Sequence, residues 1–265
     1  MLYGAMNFPV RPLLQELETT SELGFDYLEL TMDPPQAHYT MVQDQREDIL
    51  KALERFELGL VCHLPTFIST ADLTESLREA SVEEVLKSLE VAAKLQPYKV
   101  VLHPSYIMGL GHLVPEQSKG YAMKSLETIV ERAHQLGLCL CLENMFPKSQ
   151  SLVEPEDFAE VLEKFPTLNL TLDTGHAHIE DKGGKRAVDF ITCFPDRIAH
   201  IHVSDNLGKE DSHLPVGVGT VDFSGIVKAL KEMGYSDTVT IEVFSRDRDY
   251  LKISREKLVG LFDAL

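Results

Sequence analysis

The stretch IAHIHVSDNLGKEDSHLPVGVG (residues 198–219) opens as a hydrophobic strand, runs out into a polar loop and ends on a glycine-rich turn. Three histidines and two aspartates fall within its residues 200–213, all good metal ligands in a chain that is acidic overall. Side chains two apart on a strand share a face, so His200 and His202 point the same way. Apolar strand-like runs recur near residues 2–6, 26–30, 58–63, 99–103, 138–144, 168–173 and 238–244; with 198–204 they make eight. Segments of helical period lie between them, among them SVEEVLKSLEVAAKL (81–95), YAMKSLETIVERAHQLG (121–137) and VDFSGIVKALKEMGY (221–235), the last two carrying a glycine stop. Strands alternating with helices call for a parallel sheet, and eight such units close it into a (βα)8 TIM barrel. No GxGxxG follows the first strand to favour an open doubly wound sheet. No linker interrupts the series, so residues 1–265 are expected to form a single α/β domain.

Hydrophobic residues make up 44% of the chain, enough for a large core, and no run approaches the roughly 20 apolar residues that span a bilayer. The start, MLYGAMNFPVRP, has neither a basic leader nor a long apolar segment, and the four cysteines (Cys62, Cys139, Cys141, Cys193) show no CxxC spacing. A cytoplasmic protein with reduced, mostly buried thiols is expected. The 42 acids against 25 bases give a net charge of −17, which disfavours nucleic acid as a partner unless a local groove is basic.

In such a barrel, catalytic groups sit at the carboxyl ends of the strands. The third predicted strand ends in His63, the fourth in His103, the fifth in Glu143 and the sixth in Asp173, with His176 three residues on. The seventh delivers His202, its loop Asp211 and His213, and the eighth Glu242. Behind Glu143 at the strand period lie Cys141 and Cys139, behind Asp173 Thr171, and behind Glu242 Thr240 and Thr238. Those small residues suit an inward layer, and the leucines and isoleucines between them would face the helices. The acids then converge on the barrel mouth, where unpaired carboxylates are costly and a divalent cation compensates them. His200 is expected one layer deeper, orienting a ligand. The GVG at 217–219 reads as a turn. Phe67 and Tyr39 lie in loops that they are expected to pack.

At these residues the chain resembles the xylose isomerase-like TIM barrel superfamily. The resemblance is carried by CHLPTFIST (62–70), VVLHPS (100–105), CLEN (141–144), LDTGHA (172–177), HIHVSDN (200–206), DSHLPVGVGTVDF (211–223) and IEVF (241–244). It implies one of two chemistries. Sugar epimerases of this type hold one divalent ion with residues matching Glu143, Asp173, His202 and Glu242. Endonuclease IV-type apurinic/apyrimidinic (AP) endonucleases hold three zinc ions. Their pattern would set His63, His103 and Glu143 at the first, Glu143, Asp173, His202 and Glu242 around the second, and His176, Asp211 and His213 at the third. The epimerases often carry an arginine soon after the seventh-strand histidine, where this chain offers Lys209.

The favoured expectation is a divalent-metal-dependent isomerase or epimerase of a small sugar or sugar phosphate, moving a proton through a metal-stabilised enediolate. Glu143 and Glu242 would transfer the proton, and His176 and Lys209 would bind substrate. One to three ions are expected, and a carboxylate-and-imidazole site accepts Zn, Mn, Co or Fe. Phosphodiester hydrolysis in DNA repair is the alternative.

Overall fold

The computed structural model describes all 265 residues. Eight parallel strands, β1 (Leu2–Met6), β2 (Tyr27–Thr31), β3 (Gly59–His63), β4 (Val100–Leu102), β5 (Leu140–Glu143), β6 (Asn169–Asp173), β7 (Ile198–Val203) and β8 (Thr238–Ile241), pair in sequence order. β8 pairs back onto β1 and closes the barrel. The helices between them are α1 (Leu13–Glu22), α2 (Tyr39–Asp44), α3 (Arg46–Phe56), α4 (Glu75–Ala93), α5 (Pro115–Gln135), α6 (Pro155–Lys164), α7 (Thr174–His178), α8 (Arg186–Cys193), α9 (Phe223–Met233) and α10 (Asp249–Ala264). They outnumber the strands because the connections after β2 and β6 each hold two. No helix is long and apolar enough to cross a membrane.

Local chemistry sets the helix ends. Asp222 caps α9 by accepting from the Gly225 N–H, and Gly234, at φ 77°, terminates it. Glu154 and Asp157 form a reciprocal capping box at the start of α6, with Pro155 just inside it.

The strand period sorts side chains as the sequence predicts. Leu140, Leu142, Leu170, Leu172, Ile241 and Val243 join a core of 52 buried residues drawn from strands and helices. The inward positions carry smaller or polar groups, with Cys141, Thr171, Thr238 and Thr240 all buried. Tyr27, Val61 and Val101 make a separate apolar cluster inside the barrel. Tyr27 fits there because its partner in register is Gly4, where an added Cβ would stand 2.1 Å from the tyrosine ring.

Candidate active site

Each strand from β3 to β8 delivers one of the six expected groups to the mouth, either at its last residues or, for His103 and Glu242, at the next position. Register brings Asp173 level with His202, and His202 level with Thr240, just below Glu242. Glu143 lies at the centre. Its Oε2 is 3.4 Å from His63 Nε2 and 3.1 Å from His103 Nε2. Its Oε1 is 3.2 Å from His176 Nδ1 and 3.5 Å from His202 Nδ1. His202 Nδ1 in turn lies 3.8 Å from Asp173 Oδ2 and 3.5 Å from Glu242 Oε2. Candidate donor atoms of Glu143, Asp173 and His202 fall within 4.8 Å of one another, as do those of His63, His103 and Glu143.

The remaining expected residues gather at one side. Asp211 Oδ2 is 3.2 Å from His176 Nε2 and 2.9 Å from His213 Nε2, so the three form a chain through the aspartate. His213 Nδ1 lies 3.9 Å from Glu242 Oε2, which links this chain to the central group. His213 adopts φ 44°, an uncommon backbone state for a residue with a Cβ and one found where a site over-determines the chain. Lys209 is exposed and bonds to none of these groups. Phe67 does not pack its loop as expected: it is 89% exposed.

Local motifs aim these side chains. Asp173 caps α7, its Oδ1 accepting from the His176 N–H at 2.6 Å, which leaves Oδ2 for the cluster. Asn144 clamps the same turn: its side chain accepts from the Asp173 N–H at 2.7 Å and donates to the Asp173 carbonyl at 3.0 Å, and its own carbonyl lies 2.9 Å from His176 Nδ1. In the loop after β7, the Asp205 carboxylate accepts the N–H groups of Asn206, Gly217, Gly219 and Val221 at 2.9–3.1 Å. The GVG segment is therefore a turn whose amides serve Asp205. A Cβ at Gly219 would come within 2.2 Å of the Asn206 carbonyl oxygen, so only glycine fits. Two mouth-side arginines are likewise engaged, Arg186 with Glu154 and Arg248 with the buried Glu16.

The electrostatics show what would complement this cluster. Burial opposes the charge on Glu143, yet the neighbouring His103 and His202 rings hold its carboxyl well below the usual range. Burial pushes Glu242 up to about 8, against the pull of His202 and His213. Burial also raises Asp173. For His202, burial works against protonation, and Glu29, Glu143 and Glu242 overcome it to raise the ring well above its ordinary value. Both Glu143 oxygens, Asp173 Oδ2, Glu242 Oε2, Asp211 Oδ1, His202 Nδ1 and His103 Nδ1 are buried with no hydrogen-bond partner. Buried polar atoms are almost always paired. Orphaned donors of this chemistry, converging from several strands, fit a divalent cation with oxygen and imidazole ligands.

Two further groups carry the arrangement without being visible at the strand ends. Glu29, in the middle of β2, is fully buried and bonds His200 and His202. Asn144 sits one residue past β5. The available signal for Glu29 was an acid between Leu28 and Leu30 at the inward phase of a strand.

With barrel and cluster established, the chain belongs to the xylose isomerase-like TIM barrel family, whose family model matches residues 17–260. A solved D-tagatose 3-epimerase-like protein superimposes with a TM-score of 0.87 at 28% identity, covering 100% of this chain and 98% of that one. Uncharacterized protein MJ1311 of Methanocaldococcus jannaschii is 29% identical over 274 residues, covering 97% of this chain and 92% of the relative. Fructoselysine 3-epimerase of Escherichia coli O157:H7 is 20% identical over 265 residues, covering 96% and 94%. Of these three, the Escherichia coli protein is named for an epimerase activity.

Proposed function

We propose that the chain acts as one domain over residues 1–265 and is a divalent-metal-dependent isomerase or epimerase of a small sugar or sugar phosphate. The observation that carries this is the set of unpartnered carboxylate and imidazole atoms at the strand ends, supported by kinship to sugar epimerases. Glu143, Asp173, His202 and Glu242 would hold the ion. When bound, the ion stabilises negative charge on the substrate oxygen as a proton leaves the neighbouring carbon. Glu143 and Glu242 come from strands three apart in the ring, and each places an oxygen 3.5 Å from His202 Nδ1. They can therefore meet a substrate carbon from different directions, one taking a proton and the other delivering it. His176, held by Asn144 and Asp211, would bind a sugar oxygen, and Lys209 is free to reach a substrate substituent from the loop. The four free cysteines accord with a reducing, cytoplasmic setting.

A second reading, zinc-dependent AP endonuclease chemistry, draws on the His63–His103–Glu143 group and the His176–Asp211–His213 chain, which exceed the needs of one ion. The net charge of −17 and the ion pairing of Arg186 and Arg248 weigh against a phosphodiester track. A panel of ketoses and ketose phosphates in deuterated water, run beside an abasic duplex, separates the two. Deuterium at the carbon next to the carbonyl, without incision, is the expected result; incision with no sugar exchange would replace this reading with the second.

A further inference from the structure

We propose that Glu29 is a positioning residue for the ion: it accepts a hydrogen bond from the Nε2–H of His202, which keeps the ring proton there and commits the other ring nitrogen, Nδ1, to the metal. This rests on the metal-site reading above and concerns a residue in β2, a strand that supplies none of the ligands.

The geometry is directional. His202 Nε2 lies 2.9 Å from Glu29 Oε1, whereas Nδ1 faces Glu143, Asp173 and Glu242 and has no hydrogen-bond partner. A neutral imidazole carries one ring proton, so an Nδ1 lone pair free for a cation requires that proton on Nε2. The surroundings of Glu29 enforce this. Its Oε2 accepts from His200 Nε2 at 3.0 Å and from the Thr240 hydroxyl. Thr240 accepts from the Tyr27 hydroxyl at 2.8 Å, and His200 Nδ1 accepts from the Thr238 hydroxyl at 2.7 Å. The donor chains of this buried network, which joins β2, β7 and β8, all end on one carboxylate. The ring of His202 can then neither flip nor change tautomer without leaving a buried group unpaired.

Donor atoms of Glu29, His200 and His202 also lie within 4.8 Å of one another, as in a metal site. Their partnering separates the two kinds of cluster. No atom of Glu29 or His200 is orphaned, while the Glu143 group has several orphaned oxygens. The deeper cluster is complete without an ion and serves to hold the shallower one. A carboxylate behind a metal-binding histidine fixes ring orientation and raises basicity, and losing one costs about 10–100-fold in metal affinity.

Zinc affinity is to be measured by chelator competition on the full chain and on Glu29→Gln, with circular dichroism as the check on folding. The variant is expected to bind zinc at least about 10-fold more weakly than the parent. Independently, proton–nitrogen correlation spectra of the parent should show a slowly exchanging proton on His202 Nε2, both metal-free and zinc-loaded. This second readout decides the matter should the variant not fold. Glu29→Gln binding zinc within roughly threefold of the parent, or an Nε2 without a proton, overturns the role of Glu29 alone. A parent chain that binds no divalent ion overturns the metal reading itself, and the positioning role with it.

Discussion

Glu143 offers two buried oxygens to four histidine rings and has no hydrogen-bond partner for either. Glu143→Gln keeps its shape but removes the charge, so ion retention should fall by about 100-fold or more, beyond the cost of losing a supporting group. Turnover should fall with it; elemental analysis and a sugar-exchange assay on the same preparation check both. The candidate ligands Glu143, Asp173, His202 and Glu242 were legible because each stands at or next to a strand end in the inward phase, behind small residues such as Cys141 and Thr240. Glu29 was not, since a single acid in the middle of YLEL looks like any half-exposed strand position until closure of the barrel buries it. Asn144 was visible only as part of CLEN; its role depends on reaching across to β6.

At the scale of elements, the loop from β7 to α9 depends on Asp205, which is buried and gathers four backbone N–H groups. Asp205→Ala leaves these amides without an acceptor, at a cost of about 3 kcal/mol. The melting temperature should drop, and hydrogen exchange should rise across residues 205–221, which carry Asp211 and His213. Exchange in β5 and β6 should stay slow, because Glu143 and Asp173 are set by their own strands and by Asn144. Unchanged exchange in the loop would show that other contacts hold it. The turn at GVG was readable from its glycines. Its partner was not, because an aspartate twelve residues upstream gives no local sign that it will fold back beneath them.

For the whole molecule, eight alternations of strand and helix sufficed to give the barrel, with strand limits in close agreement and two connections holding an extra helix. The mouth makes that barrel sensitive to pH when metal-free. Glu242 is pushed up to about 8 and His213 to about 9, the latter by Glu242 and Asp211 against the effect of burial. Both hold protons more tightly folded than unfolded. Their contributions are therefore complete below the unfolded values, about 4.3 and 6.5, and are lost as pH rises through the folded ones. Glu143 and Asp211, both held low, are ionised in both states across that window and add no slope. The melting temperature of chelator-treated protein should fall from roughly pH 6 to pH 9 and stay nearly flat once a divalent ion replaces the protons. A metal-free curve that rises over this range would contradict the electrostatic description.

The most direct test is metal content per chain after native purification without added metal. We expect at least one tightly held divalent ion, absent from Glu143→Gln prepared in parallel. Less than about a tenth of an ion per chain, with no uptake on adding zinc or manganese, would contradict the assignment of these strand-end residues to a cation.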